Sequence, residues 1–124
     1  MRRGVSAAVL LLAGVLAACA PAATLPPSRD PDQAVLNITG TPPTLLFGAG
    51  ISDVVDLHIL IKGTDMRVNA PEFCKPANVF DVLCTIPRLP AGKNFVLPMR
   101  GSNLSAVAMY KRSSGQSYSS VARQ

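Results

Sequence analysis

The chain is 124 residues long and carries 12 Lys and Arg against 7 Asp and Glu, a formal balance of +5, with three cysteines and one histidine. Its cations are scattered, and beyond Arg2-Arg3 the adjacent basic pair is Lys111-Arg112, which excludes the basic stripe or aromatic platform that nucleic-acid binding depends on. The length leaves room for one small domain, whose core is marginal without a covalent staple or a partner.

Residues 1–18 have the three parts of a secretory signal: basic Arg2 and Arg3, an apolar stretch from Val5 to Leu16, and small residues before a cut. The apolar stretch is shorter than the roughly 20 residues that cross a bilayer as a helix, and Pro21 follows closely. A spanning anchor is therefore not expected. If Arg2 and Arg3 leave with the signal, the formal balance falls from +5 to +3.

The run Leu16-Ala17-Ala18-Cys19 closes this segment and resembles the lipobox of bacterial lipoproteins. The resemblance implies that the Cys19 thiol receives a diacylglyceryl group, that the chain is cut before Cys19, and that the new amino group is acylated. Sulfur is the nucleophile in that step, and small neighbours let the peptidase approach. Two or three acyl chains make a stable anchor, because one chain holds only marginally and each buried methylene contributes about 0.8 kcal/mol. Aspartate after the lipidated position resembles the inner-membrane retention signal; Ala20 stands there instead, which points to the outer membrane. The rival reading is a secreted soluble protein with a cysteine near its cut. With Cys19 lipidated, Cys74 and Cys84 remain as an even pair suited to one bridge in an oxidising compartment.

From Cys19 to Gln33 the chain is rich in alanine, proline and small polar residues and reads as a tether. At about 3.1 Å per residue in an extended proline-rich form, it would hold a domain on the order of 40 Å from the bilayer. Residues 34–112 read as the folded part. Ala34-Val35-Leu36-Asn37-Ile38-Thr39 and Thr44-Leu45-Leu46-Phe47 are short β-prone runs split by Gly40-Thr41-Pro42-Pro43. In Val55 to Lys62, Val55, Leu57, Ile59 and Ile61 alternate with Asp56, His58, Leu60 and Lys62, the period of a strand with one buried face. Gly63-Thr64-Asp65 reads as a turn and Met66-Arg67-Val68 as a return strand. Asn78 to Ile86, Asn94 to Leu97 and Ser105 to Tyr110 have the same character, divided by Pro87, Pro90-Ala91-Gly92 and Gly101-Ser102. No window beyond the signal shows a helical stripe. The expectation is an all-β antiparallel sandwich of six or seven strands. The polar tail, residues 113–124, reads either as disordered or as an edge strand through Tyr118 and Val121.

The stretch from Asp56 to Met109 places an alternating strand, Cys74, a β-run, then Cys84-Thr85-Ile86-Pro87-Arg88-Leu89-Pro90-Ala91-Gly92-Lys93 before Asn94-Phe95-Val96-Leu97. It is similar to the conserved-repeat and adhesion-type domains of bacterial surface proteins, and departs from them at Pro87 and in being a single copy. The resemblance implies an immunoglobulin-like sandwich with a cysteine pair on neighbouring strands. It implies little about function, since one fold hosts many.

Chemistry-bearing residues are sparse. His58 is the single histidine and falls on the polar face near Asp56, without a Gly-x-Ser-x-Gly sequence or other nucleophile motif to make a catalytic set. Cys74, Cys84 and His58 lack the paired spacing of zinc ligands, and Asp30, Asp32, Asp53, Asp56, Asp65, Glu72 and Asp81 lack that of a calcium loop. No cofactor, metal or enzymatic activity is expected. The expected function is a lipid-anchored envelope protein that acts by contact with another envelope protein. The alternatives are an accessory or assembly subunit of a secretion or pilus machine and, behind both, a small-ligand carrier or hydrolase.

Overall fold

The computed structural model describes residues 29–78 and 81–124. The signal segment, Cys19 and most of the proposed tether lie outside the described residues. Among the described residues there are seven strands: β1 (Val35–Thr39), β2 (Thr44–Gly48), β3 (Val54–Val68), β4 (Cys74–Pro76), β5 (Asp81–Leu89), β6 (Asn94–Arg112) and β7 (Ser117–Arg123). Every paired neighbour is antiparallel. The hydrogen-bonded path runs β1-β2-β6-β3-β5-β4, with β7 beside β6.

Two long strands organise this path. Asn94–Pro98 of β6 pair with β2, which gives a narrow layer with β1. Met99–Arg112 pair with β3, and Ser105–Lys111 pair also with β7, which gives a broad layer in the order β7-β6-β3-β5-β4. One strand thus serves both layers, and β1 comes close to β7 where they meet. The result is an all-β, antiparallel, sandwich-like domain around one core. Its largest fully buried side chains are Tyr110, Phe47, Leu45, Leu57, Ile59, Ile61, Leu97 and Leu104.

Strand number agrees with the sequence expectation, but the strands are divided differently. The turn expected at Gly63-Thr64-Asp65 does not reverse the chain: β3 continues to Val68 against β6, with register shifts between Lys62 and Thr64 and between Thr64 and Arg67. Asp65 takes a left-handed φ of 51° there, as a bulge residue does. A Cβ at Gly63 would press on the end of the Leu104 side chain, which packs over that position. The break expected at Gly101-Ser102 is likewise a bend inside β6, with Gly101 at φ 131°. Polar turn residues that elsewhere end strands here bend two strands that stay paired to each other.

Pro87, expected as a divider, lies within β5 opposite Asp56. That position carries no ladder pair, so the missing N–H of proline costs nothing there. Asp56 itself has φ 51° and sits at a register shift between Val55 and His58. The bulge explains why Val54 and Leu57, three positions apart, both face the core, whereas alternation alone placed Val55 there.

The tail is an edge strand, and the alternative of a disordered tail is not realised. Residues Ser117–Arg123 pair with β6 in unbroken register. Asp30 to Gln33, assigned by composition to the tether, pack on the domain: Ile51 N–H donates to the Asp32 carbonyl at 3.0 Å, and the Ser52 hydroxyl to Asp32 Oδ2. Gly50, at φ 82°, lies so close to the Asp32 carbonyl that a Cβ would clash.

Cys74 and Cys84 form a disulfide and are direct cross-strand partners, with Cα atoms 3.9 Å apart. The bridge fastens β4, three residues long, to the edge of the broad layer.

Candidate functional site

Two constellations stand out, one closed inside the domain and one open on its surface. The closed one begins with Arg112. In the C-terminal part of β6 the residues that face inward are Leu104, Ala106, Ala108, Tyr110 and then Arg112, which is 4 % exposed. A guanidinium so placed needs both a counter-charge and acceptors for its remaining protons. Asp30 supplies the charge, with Nη2 to Oδ2 at 2.5 Å and Nε to Oδ2 at 3.2 Å. The carbonyls of Ala49 and Ser52 each accept from Nη1 at 2.8 Å.

Asp30 is equally well used. The Tyr110 hydroxyl donates to Oδ2 and the Asp32 amide to Oδ1. Burial acts to raise the Asp30 carboxyl, but the hydrogen bonds from Arg112, Tyr110 and the Asp32 amide, with the Arg112 charge, hold it below its ordinary value. For Tyr110, burial and then the Asp30 carboxylate push the phenol up, so it remains a donor. Its ring meets Phe47 edge-on at 5.3 Å and has the Arg112 guanidinium over it at 5.4 Å. The strong polar groups of this hook bond one another and the backbone carbonyls of Ala49 and Ser52. Its effect is to clamp the N-terminal strap to the end of β6.

The open constellation is the outward face of the broad layer. Strand register puts Val121 beside Val107, Val107 beside Leu60, and Leu60 beside Leu83. These four aliphatic side chains make one row across β7, β6, β3 and β5. Val121 is 56 % and Leu83 36 % exposed. On one side of the row lie Ser119, Met109, His58 and Thr85; on the other lie Arg123, Ser105, Lys62 and Asp81. Beyond the first of these, Ser117, Lys111, Val55 and Arg88 align. Among the described residues Lys62, Lys111 and Arg123 form no ion pair, while Arg88 is paired with Asp53. The Ala91 amide and then Arg88 hold the Asp53 carboxyl below its usual value.

Asp56 and His58 both border a shallow depression of about 220 Å³ with Met109, Lys111 and Ser117. The contact made by His58 is from Nδ1 to the Thr85 hydroxyl at 3.4 Å, so the pair does not form a proton relay. Among the described residues no group of three or more His, Cys, Asp or Glu could hold a metal ion.

Sequence reasoning found His58 and the cysteines but missed both constellations as units. Alternation put Leu60 among the polar positions without asking why leucine stood there, and Arg112 falls two residues after the inward Tyr110. An apolar residue on the outward phase and a charge on the inward phase were the available signals. Comparison with protein families, with curated proteins and with solved structures finds no match.

Proposed function

We propose that this protein is a lipid-anchored component of a bacterial cell envelope, held through Cys19, that works by protein contact through the outward face of its broad layer. Its domain is the immunoglobulin-like sandwich of a surface protein, displayed away from an outer membrane by the proline-rich segment. The observation that carries the reading is the clamped strap. Asp30, near the end of that segment, is tied to Arg112 and Tyr110 in the core, so a pull on the N-terminus is borne by the body of the domain.

The exposed aliphatic row supplies the contact element. Such a row costs solvation unless another surface covers it, and a cluster of this kind marks an interaction site more readily than scattered apolar residues do. The buried polar groups are consumed in structure, which favours contact over chemistry.

Anchorage is tested by metabolic labelling with a fatty acid. Label should enter the wild type and be absent from Cys19→Ser; label retained in the mutant overturns the anchor. Crosslinking in intact envelopes from a photoreactive residue at position 83, compared with one at position 31 on the strap side, tests the face: a protein product from 83 alone supports it, and products from 31 alone refute it.

A further inference from the structure

The strand register gathers charge on the outward face in a pattern that the linear sequence hides. The row Val121, Val107, Leu60 and Leu83 crosses β7, β6, β3 and β5, and β4 extends it by one strand with Lys75, the cross-strand partner of Leu83. One row away on one side stand Lys62 and Arg123; two rows away on the other stand Lys111 and Arg88. Carboxylates are fewer there. Asp81 shares the row of Lys62, but its Oδ2 accepts from Asn78 Nδ2 at 2.9 Å, and Asp56 borders the same depression as Lys111. Among the described residues Arg88 is paired with Asp53, whereas Lys62, Lys75, Lys111 and Arg123 form no ion pair. An apolar row is thus bordered by unpaired cations on both flanks and at one end.

Height as well as charge limits what can cover this row. Valine and leucine are shorter than lysine and arginine, and the row lies on paired strands rather than on a loop, so the cations stand above it. A lipid surface takes up apolar side chains that reach about 5–10 Å into the boundary between headgroups and acyl chains. A recessed row does not reach so far, and headgroups held by the cations alone would leave it in water. A second copy of this chain would bring the same cations against one another. A polypeptide with a projecting apolar ridge meets neither obstacle when carboxylates flank the ridge. We infer that the outward face binds an acidic segment of a partner protein, whose apolar side chains lie along Val121, Val107, Leu60 and Leu83 and whose carboxylates meet Lys62, Arg123, Lys111 and Lys75.

The row sets the size of that segment. Four strands about 4.8 Å apart make it about 14 Å long, the span of roughly ten helical or four extended residues. Exposed ion pairs are individually weak, so the aliphatic row supplies the adhesion, while the cations steer the encounter and set the orientation. The contact should weaken with salt, because the screening length falls from about 10 Å at 0.1 M to about 3 Å at 1 M. This inference rests on the reading of the face as a protein-contact surface, names the chemistry of its partner, and is independent of the lipid anchor.

The test uses the full chain in intact envelopes, with photoreactive residues at positions 83 and 121, the two ends of the row. Both should join the same short segment of one other protein, and mass spectrometry of the joined peptides should show an apolar residue with an excess of Asp and Glu over Lys and Arg around it. Lys62→Glu should lower the yield about fivefold or more, and reversal of the partner's mapped carboxylate to lysine should restore it to within about twofold. Lys93→Glu makes the same charge change at an exposed position in the β5–β6 turn, and should leave the yield within about twofold of wild type. Joined peptides without the acidic excess, unrelated partners at the two positions, a yield unchanged by Lys62→Glu, no restoration by the partner's reversal, a second copy of this chain in the product, or a phospholipid adduct would each overturn the acidic partner. All of these except the phospholipid adduct leave the protein-contact reading in place, whereas absence of any product at both positions removes that reading as well.

Discussion

Two Asp–Arg pairs in this protein have the same closest approach, 2.5 Å, and very different surroundings. In Arg112–Asp30 the side chains are 5 % and 4 % exposed; in Arg88–Asp53 they are 64 % and 29 % exposed. The comparison teaches that distance alone says little about what an ion pair does. At the surface, water screens the pair and both partners are well solvated without each other, so a typical exposed pair contributes about 0–1 kcal/mol. In the interior each partner has surrendered its hydration, and removal of one leaves the other stranded at a cost of about 3–5 kcal/mol. The buried pair therefore couples two distant segments, whereas the exposed one trims the end of a loop.

The largest effect should come from breaking the buried pair on one side. Asp30→Ala should lower stability by about 3–5 kcal/mol, measured by urea denaturation, because Arg112 keeps its buried charge. Replacing both together, with Asp30→Leu and Arg112→Met, should cost less than the sum of the single changes; strict additivity would show that the two residues do not act as a unit.

Next in size is the staple. Cys74→Ser should lower stability under oxidising conditions by roughly 3 kcal/mol in the chain-entropy model, and reduction should bring the wild type down to the mutant. Since β4 is held on the sheet edge at that bridge, the mutant should also expose the edge of β5, seen as faster amide exchange at Leu83 and Thr85. Equal melting of mutant and wild type would remove the disulfide from the account.

Tyr110→Phe keeps the ring against Phe47 but deletes the donor to Asp30. A loss of about 1.5–3 kcal/mol is expected for a hydrogen bond to a charged group. The acid limb of stability sharpens the point. The folded-state value of Asp30 is lowered from 3.8, so as pH falls the unfolded chain takes up this proton first. The stabilisation is complete above the unfolded value and is lost as pH drops through the folded one. Asp30→Asn should be less stable at neutral pH and show a flatter fall below about pH 4 than the wild type; parallel curves would mean that Asp30 does not carry the acid sensitivity.

The smallest change should follow Arg88→Ala, below that of any variant above at low salt and smaller still at high salt. A loss comparable to that of Asp30→Ala would abolish the distinction on which the comparison rests.

Much of the fold was legible because local patterns were honest about burial. Leu57, Ile59 and Ile61 sit at two-residue spacing and are buried, and the antiparallel all-β class follows from runs of this kind. Cys74 and Cys84 were legible as a pair on the expectation that Cys19 carries a lipid. Strand boundaries were less so. Gly63-Thr64-Asp65 and Gly101-Ser102 have the composition of turns, yet each bends a strand whose partner bends beside it. A turn and a bulge draw on the same residues, since both need left-handed or unencumbered backbone, and the choice between them rests on pairing with a segment some forty residues away.

What the sequence determined by itself was therefore alternation, cysteine parity and the chemical poverty of the polar residues, since these depend on identity and near-neighbour spacing. The tertiary structure decided which outward residues share a row and which inward charge meets which. Asp30 and Arg112 are 82 positions apart, and the aliphatic row draws one residue from each of four strands. Both arrangements are set by register between strands, which side-chain packing of the whole core fixes and no short stretch of sequence can encode.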